Sequence, residues 1–252
     1  MRISLFSTLL LITSLLMSVS SNSKQNITFG MGVFPPAYVV DLETGRCSGS
    51  LTDTLNKIFT GSGFSLTLIC TSPSRVYRMI ENGEIDLTIN ITATDQLEGL
   101  VTFVTPPYQD LSISLFTHKN SQSSKVISAV RGYQYNGQRK RFQNLGFEFY
   151  DLPDTASSLR FFMKKRSTYL LSYQVPIIYM LNQKHNNVKH EIVEEKISSL
   201  PTYFAITNTS KMFEQIKNIL DDYVTKHEKK HFLYYDNTDL YTDQNGVIIT
   251  SH

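Results

Sequence analysis

Asn90, Thr92 and Thr94 are the polar side chains best placed to hold a small molecule. They follow directly on Ile85-Asp86-Leu87-Thr88-Ile89, an apolar and partly β-branched run of strand length. An open α/β sheet meets its ligands just outside the carboxyl ends of its strands, so amide and hydroxyl groups at this point imply a binding crevice. No chemistry that makes or breaks bonds accompanies them: the chain has no nucleophile elbow, phosphate loop, zinc motif or nucleotide fingerprint. His118, His185, His190, His227, His231 and His252 are scattered in polar contexts, which implies surface positions and gives no Ser/His/Asp triad by spacing. Cys47 and Cys70 are the only cysteines. A bridge between them would close a loop of about 22 residues and add about 3 kcal/mol, while two buried free thiols remain an equal alternative. Without a histidine cluster they offer no metal site, and no cofactor is expected.

The elements that must position these groups can be read in order. Asn26 to Val33 alternates as a first strand and leaves through Phe34-Pro35-Pro36-Ala37-Tyr38, where prolines fix the backbone without needing N–H partners. Leu51, Leu55, Ile58 and Phe59 mark one face of a helix that Gly61-Ser62-Gly63 stops. Phe64 to Cys70 is a second strand. Ser72-Pro73 is an N-cap with a first-turn proline, and Gly83 ends that helix after Val76, Met79 and Ile80. Leu111 to Thr117 is an extended crossing segment, and the polar run 119–124 marks a boundary between lobes. Strands follow at 126–130, 147–151 and 169–171, with a helix at 157–163 that closes on Lys164-Lys165-Arg166. Tyr203 to Ile206 reads as a returning strand. Met212, Phe213, Ile216, Ile219, Leu220, Tyr223 and Val224 then trace one face of a helix that belongs to the core. The Tyr- and Asp-rich tail after Lys230 is weakly patterned.

With 252 residues and 41% hydrophobic content, the chain can bury one large domain or two small lobes. A net charge of +2 gives no electrostatic case for nucleic acid. Residues 1–21 combine Arg2, an apolar run from Leu5 to Met17 and the small residues Ser18, Ser20 and Ser21, which is the pattern of a secretory signal peptide. The absence of a second long apolar run makes the mature protein an expected soluble one, and a monomer is expected.

The stretch from Glu81 to Tyr108 resembles family 3 of the bacterial periplasmic solute-binding proteins, which serves amino-acid ABC importers. Gly83, Asp86, Thr94, Phe103, Thr105, Pro107 and Tyr108 fall on the family pattern in order, and the resemblance covers about residues 26–235. It implies an α/β fold of the two-lobed periplasmic-binding-protein type (type II). Mixed sheets flanked by helices would meet at a hinge of two crossing strands, with lobe 1 at 22–117 plus 203–252 and lobe 2 at 118–202. It also implies a periplasmic location, a structural role for Asp86, and a membrane permease or a sensor kinase as partner.

The same resemblance assigns ligand positions and shows where this chain departs from them. Phe34 matches the aromatic that stacks over the ligand, the reading the register favours; an ordinary Pro-Pro turn with core aromatics is the alternative. Leu97 stands where the family has the arginine that grips an α-carboxylate. Thr168 and Tyr173 stand where the family has two acids, the second of which holds an α-ammonium. Arg131-Gly132-Tyr133-Gln134 lies where the family has an anion site at a helix N-terminus, so Arg131 and Tyr133 could supply what Leu97 does not; Arg131 facing solvent is the alternative. A site lacking both anchors is poorly made for a zwitterion. The implied ligand is a small polar or aromatic metabolite, captured for an importer. A ligand-sensing or partner module of the same fold is the second reading. A cyclohexadienyl-dehydratase-like enzyme is the third, and Leu97 and Tyr173 speak against it.

Overall fold

A computed structural model describes residues 24–41, 43–119, 124–184, 191–227, 232, 241–242 and 248–249. The signal peptide expected at 1–21 and most of the tail after Lys230 lie outside the described residues.

One mixed sheet of eight strands runs through the molecule. Strand β1 (Asn26–Gly32) pairs parallel with β4 (Ser65–Thr71) and, at Phe29, with β5 (Leu87–Asn90). Two helices connect these strands, α1 (Ser50–Phe59) and α2 (Pro73–Glu81). Helix α1 shows why the chain folds this way locally. Leu51, Leu55 and Ile58 recur at helical spacing and bury against Ile27, Phe29 and Ile89 of the sheet, together with Ile216 and Leu220 of helix α6 (Phe213–Lys226). The residue before α1 must be glycine: Gly49 has φ +113, and a Cβ there would lie 2.5 Å from the carbonyl oxygen of Ala37.

The second lobe is built from β7 (Val126–Val130), α3 (Gln138–Asn144), β8 (Glu148–Leu152), α4 (Thr155–Met163), β9 (Tyr169–Tyr173) and α5 (Gln174–Lys184). Parallel pairing of β7 with both β8 and β9 continues the sheet. Asp154 caps α4, its carboxylate accepting from the Ser157 N–H at 2.6 Å.

Two long strands tie the halves together. β6 (Val101–His118) has 18 residues and β10 (Ile192–Thr207) has 16, and they pair antiparallel nearly end to end. At one end β10 also pairs with β5 through Tyr203–Ile206; at the other, β6 pairs with β9 through Ile113–Thr117. Register shifts interrupt the ribbon between Lys196 and Ser198 and between Thr202 and Phe204. Sequence patterning reveals only the ends of this ribbon. Ile192–Ser199 alternates between half-buried and exposed positions with charges at Glu194, Glu195 and Lys196, and Pro106-Pro107 breaks the apolar pattern of β6. Helices α3 and α5 also carry no clear sequence signal. The short pairs β2 (Val39–Val40) with β3 (Cys47–Ser48), and β11 (Tyr241–Thr242) with β12 (Ile248–Ile249), form separate ribbons.

Asp86 is structural. Its carboxylate accepts from the Thr28 N–H at 2.9 Å and from the Ser210 hydroxyl at 2.6 Å, which fastens β1 to the turn that leads into α6. His118 corrects the expectation of a surface histidine. It is 8% exposed, stacks on Phe162 at 4.2 Å, and has its Nε2 3.1 Å from the Phe162 carbonyl, because the last residue of β6 turns into the lobe-2 core. His185, His190, His231 and His252 lie outside the described residues.

Cys47 of β3 and Cys70 of β4 are joined in a disulfide, with Cα atoms 5.7 Å apart and a sequence separation of 23. Constraining that loop in the unfolded chain adds about 3 kcal/mol. The Cys47→Ala/Cys70→Ala protein is therefore expected to lose that stability in urea unfolding with a somewhat larger m-value, since its unfolded chain expands, and equal unfolding free energies would show that the bridge contributes nothing.

Candidate functional site

The crevice lies between the carboxyl ends of β1 and β5 on one side and those of β7 and β9 on the other, and aromatic side chains close it. Phe34 leaves β1 through a turn in which Phe34 and Tyr38 exchange backbone hydrogen bonds of 2.6 and 2.9 Å. This turn presents the Phe34 ring to Tyr173, the last residue of β9, with centroids 5.7 Å apart. Both rings are deeply buried, at 3% and 6% exposure. Tyr133, in the loop after β7, lies 5.4 Å from Tyr173 and 5.6 Å from Tyr135, and Tyr135 lies 5.5 Å from Tyr173. Three tyrosines and a phenylalanine thus meet where a solute would lie.

A buried guanidinium holds the loop that carries Tyr133. Arg139 donates to the Tyr133 carbonyl (3.0 Å), the Val130 carbonyl (3.1 Å) and the Asp151 carboxylate (2.8 Å), and its plane lies 4.5 Å from the Phe149 ring. The hydroxyl of Tyr135 accepts from the Val130 N–H at 3.1 Å. Across the crevice, the Asn90 carboxamide oxygen accepts from the Thr94 hydroxyl (2.7 Å) and the Ile91 N–H (2.9 Å), leaving its Nδ2 to reach the Tyr77 hydroxyl at 3.4 Å.

The space that remains is a cavity of about 40 Å³. Phe34, Asn90, Tyr133 and Tyr173 line it together with Gln109, Thr202 and aliphatic residues such as Ile89 and Leu111, and no charged side chain among the described residues does. A volume of that order admits water-sized occupants. Burial raises the hydroxyl pKa of Tyr77 to about 12 and that of Tyr133, Tyr135 and Tyr173 well above the ordinary value, neighbouring tyrosines adding to the effect. The consequence for stability has a definite sign. Above pH 10 the unfolded chain loses tyrosine protons that the folded protein keeps, so stability is full below pH 10 and falls as pH rises from 10 toward 12. Titration at 295 nm is expected to show these tyrosines ionising only with unfolding; a smooth titration near pH 10 for all tyrosines would contradict their burial.

The other sequence-derived positions are not brought to the cavity. Thr92 is exposed in the loop after β5, and Gln134 is half-buried outside the lining. Arg131 is exposed, with its guanidinium 3.5 Å from the Asp151 carbonyl. Residues 131–134 do not sit at a helix N-terminus: α3 starts at Gln138 after Gly137, and the N–H groups of Arg131 and Tyr133 are taken by the carbonyls of Leu152 and Val130. Leu97 is 1% exposed among Val76, Tyr77, Ile80 and Ile85, in the lobe-1 core. Tyr77, Tyr135 and Arg139 escaped sequence reasoning. Tyr77 and Tyr135 look like ordinary core aromatics, and no local pattern links Arg139 to the carbonyls it serves.

A mixed sheet divided by two crossing strands, with a crevice at the strand ends, defines a two-lobed binding protein. The chain belongs to the bacterial extracellular solute-binding proteins, family 3, whose family model matches residues 27–247. Among solved structures, a histidine kinase sensor domain with similarity to periplasmic binding proteins superposes with a TM-score of 0.66 at 17% identity, covering 82% of this chain and 93% of that one. The arginine-, lysine-, histidine-binding protein ArtJ from Geobacillus stearothermophilus gives 0.65 at 14% identity, covering 81% and 91%. The GluR0 ligand-binding core in complex with L-glutamate gives 0.63 at 17% identity, covering 81% and 95%. These likenesses establish the fold. No curated protein matches the chain. None of the described helices is long and apolar enough to cross a membrane.

Proposed function

We propose that this protein captures a small, uncharged, ring-bearing solute in the periplasm, between a lobe of residues 22–117 plus 203–252 and a lobe of residues 118–202, and passes it to an import permease without chemical change. The observation that carries the reading is the Phe34–Tyr173 pair facing across the crevice in a lining without charge. A planar solute held between two rings needs them roughly 7 Å apart, twice the contact distance of stacked carbons. The 5.7 Å separation therefore widens by a small hinge motion about β6 and β10 to admit a ring. Asn90, Gln109 and Thr202 would then orient its polar substituents. A free α-amino acid fits poorly, because neither of its charges would meet a partner.

The second reading, a sensing or partner module, is favoured by the lobes meeting through their own side chains. Thermal unfolding against a panel of neutral aromatic compounds, sugars and amino acids separates the two. A solute at about 100 times its Kd adds roughly 2.7 kcal/mol. Shifts confined to neutral ring compounds support capture, shifts with amino acids overturn it, and a flat panel favours the partner module.

A further inference from the structure

Tyr133 reaches across the crevice from the loop after β7. Its hydroxyl lies 3.1 Å from the point where a Cβ on Gly32, at the end of β1, would sit, and Pro73 of α2 comes within 2.9 Å of that same point. A side chain from the lobe-2 loop thus occupies space that lobe 1 leaves free by having glycine at position 32. The loop meets lobe 1 on two further points. The Ser74 hydroxyl donates to the Arg131 carbonyl at 3.4 Å, and Gly132, at φ +84, packs so closely that an added Cβ would be 3.0 Å from the Ser74 oxygen. On its own lobe, Tyr133 rests against Tyr135 and Tyr173 and is held by Arg139 through its carbonyl.

We infer that Tyr133 is a tethered occupant of the crevice: the protein closes on its own phenol ring, and this ring sets both the resting closure and the size limit of any solute. In a two-lobed receptor, closure normally draws on contacts that the solute makes with both lobes at once. Here the Tyr133 ring makes those contacts from within the chain, at the small entropic cost of a side chain already packed on Tyr135 and Tyr173 in a loop that Arg139 holds. A solute must displace the ring or fit beside it in the small remaining cavity. This deepens the proposed solute reading and rests on it only for the size limit; the closure stands on the geometry alone.

The test is excision and replacement. Tyr133→Ala removes the phenol ring and keeps the Cβ, and free phenol is the missing piece. The purified variant is expected to melt lower than the parent, to bind one equivalent of phenol by calorimetry, and to regain most of the lost melting temperature at saturating phenol, while the parent shows no phenol shift. Small-angle scattering is expected to show the variant opened, with a larger radius of gyration that returns to the parent value with phenol. A folded variant that ignores phenol, or a parent and variant that respond alike, overturns the inference. Should the variant not fold, the parent decides: after unfolding and refolding to strip bound solutes, its scattering must match the closed form, and an open profile overturns the proposal. A parent that binds no ring compound while Tyr133→Ala takes up phenol would end the capture reading and leave this inference standing. Solute binding by the parent together with a phenol-indifferent variant would do the reverse.

Discussion

Leu97→Arg is expected to destabilise the protein by about 5 kcal/mol, the cost of placing an unpaired guanidinium and extra volume in a packed core. The side chain is almost wholly enclosed by Val76, Tyr77, Ile80 and Ile85, in the single 3-10 turn Asp95–Leu97 between β5 and β6. Combining it with Tyr173→Asp, which in sequence terms would rebuild the family's pair of anchors, is expected to yield no affinity for amino acids. Urea unfolding measures the first effect and calorimetry with an amino-acid panel the second. A stable variant that binds an amino acid would show that the guanidinium reaches the crevice after all.

Arg139→Ala is expected to cost about 3 kcal/mol, because one side chain serves three acceptors and its loss removes the donor to the Tyr133 carbonyl and breaks the Asp151 pair. Asp151, 40% exposed at its side chain, regains water and limits the loss, and the Val130 carbonyl keeps the Tyr133 N–H. Lysine is no substitute, since a point charge cannot span the fork of acceptors that the planar guanidinium reaches. Arg139→Lys is therefore expected to recover little, and equal stability of the Lys variant and the parent would assign the bracket to charge alone. The Ala variant also frees the loop carrying Tyr133, so its melting loss and an increase in radius of gyration are expected together.

How far the chain could be read without coordinates differs from element to element, for physical reasons. β1, α1, α2, β5 and α6 announce themselves because each buries one regular face: Leu51, Leu55 and Ile58 at helical spacing, or a run such as Leu87 to Ile89. The crossing ribbon hides because the first half of β10 alternates only between half-buried and exposed positions and so lacks a buried apolar face. In the crevice, Phe34, Asn90, Tyr133 and Tyr173 were legible by register and strand ends, and they do meet. Which way a side chain faces within a loop was not. Leu97 turns inward, Arg131 outward, and Arg139 finds its partners through loop geometry that residue spacing does not encode.

The path of the chain through the two crossing strands also orders its folding. In lobe 2, Arg139 and Asp151 are 12 residues apart, so the contacts that shape the loop close cheaply and early. Lobe 1 is different. Thr207 bonds to the Ile85 carbonyl across 122 residues, and Ser210 reaches Asp86 across 124. The local contacts of lobe 2 can therefore set its tyrosine loop while lobe 1 still waits for β10 and α6. During that interval the Cys47–Cys70 bridge is the one covalent constraint on the unfinished half. Without the bridge, refolding is thus expected to complete lobe 1 more slowly, while the local contacts of lobe 2 form as before.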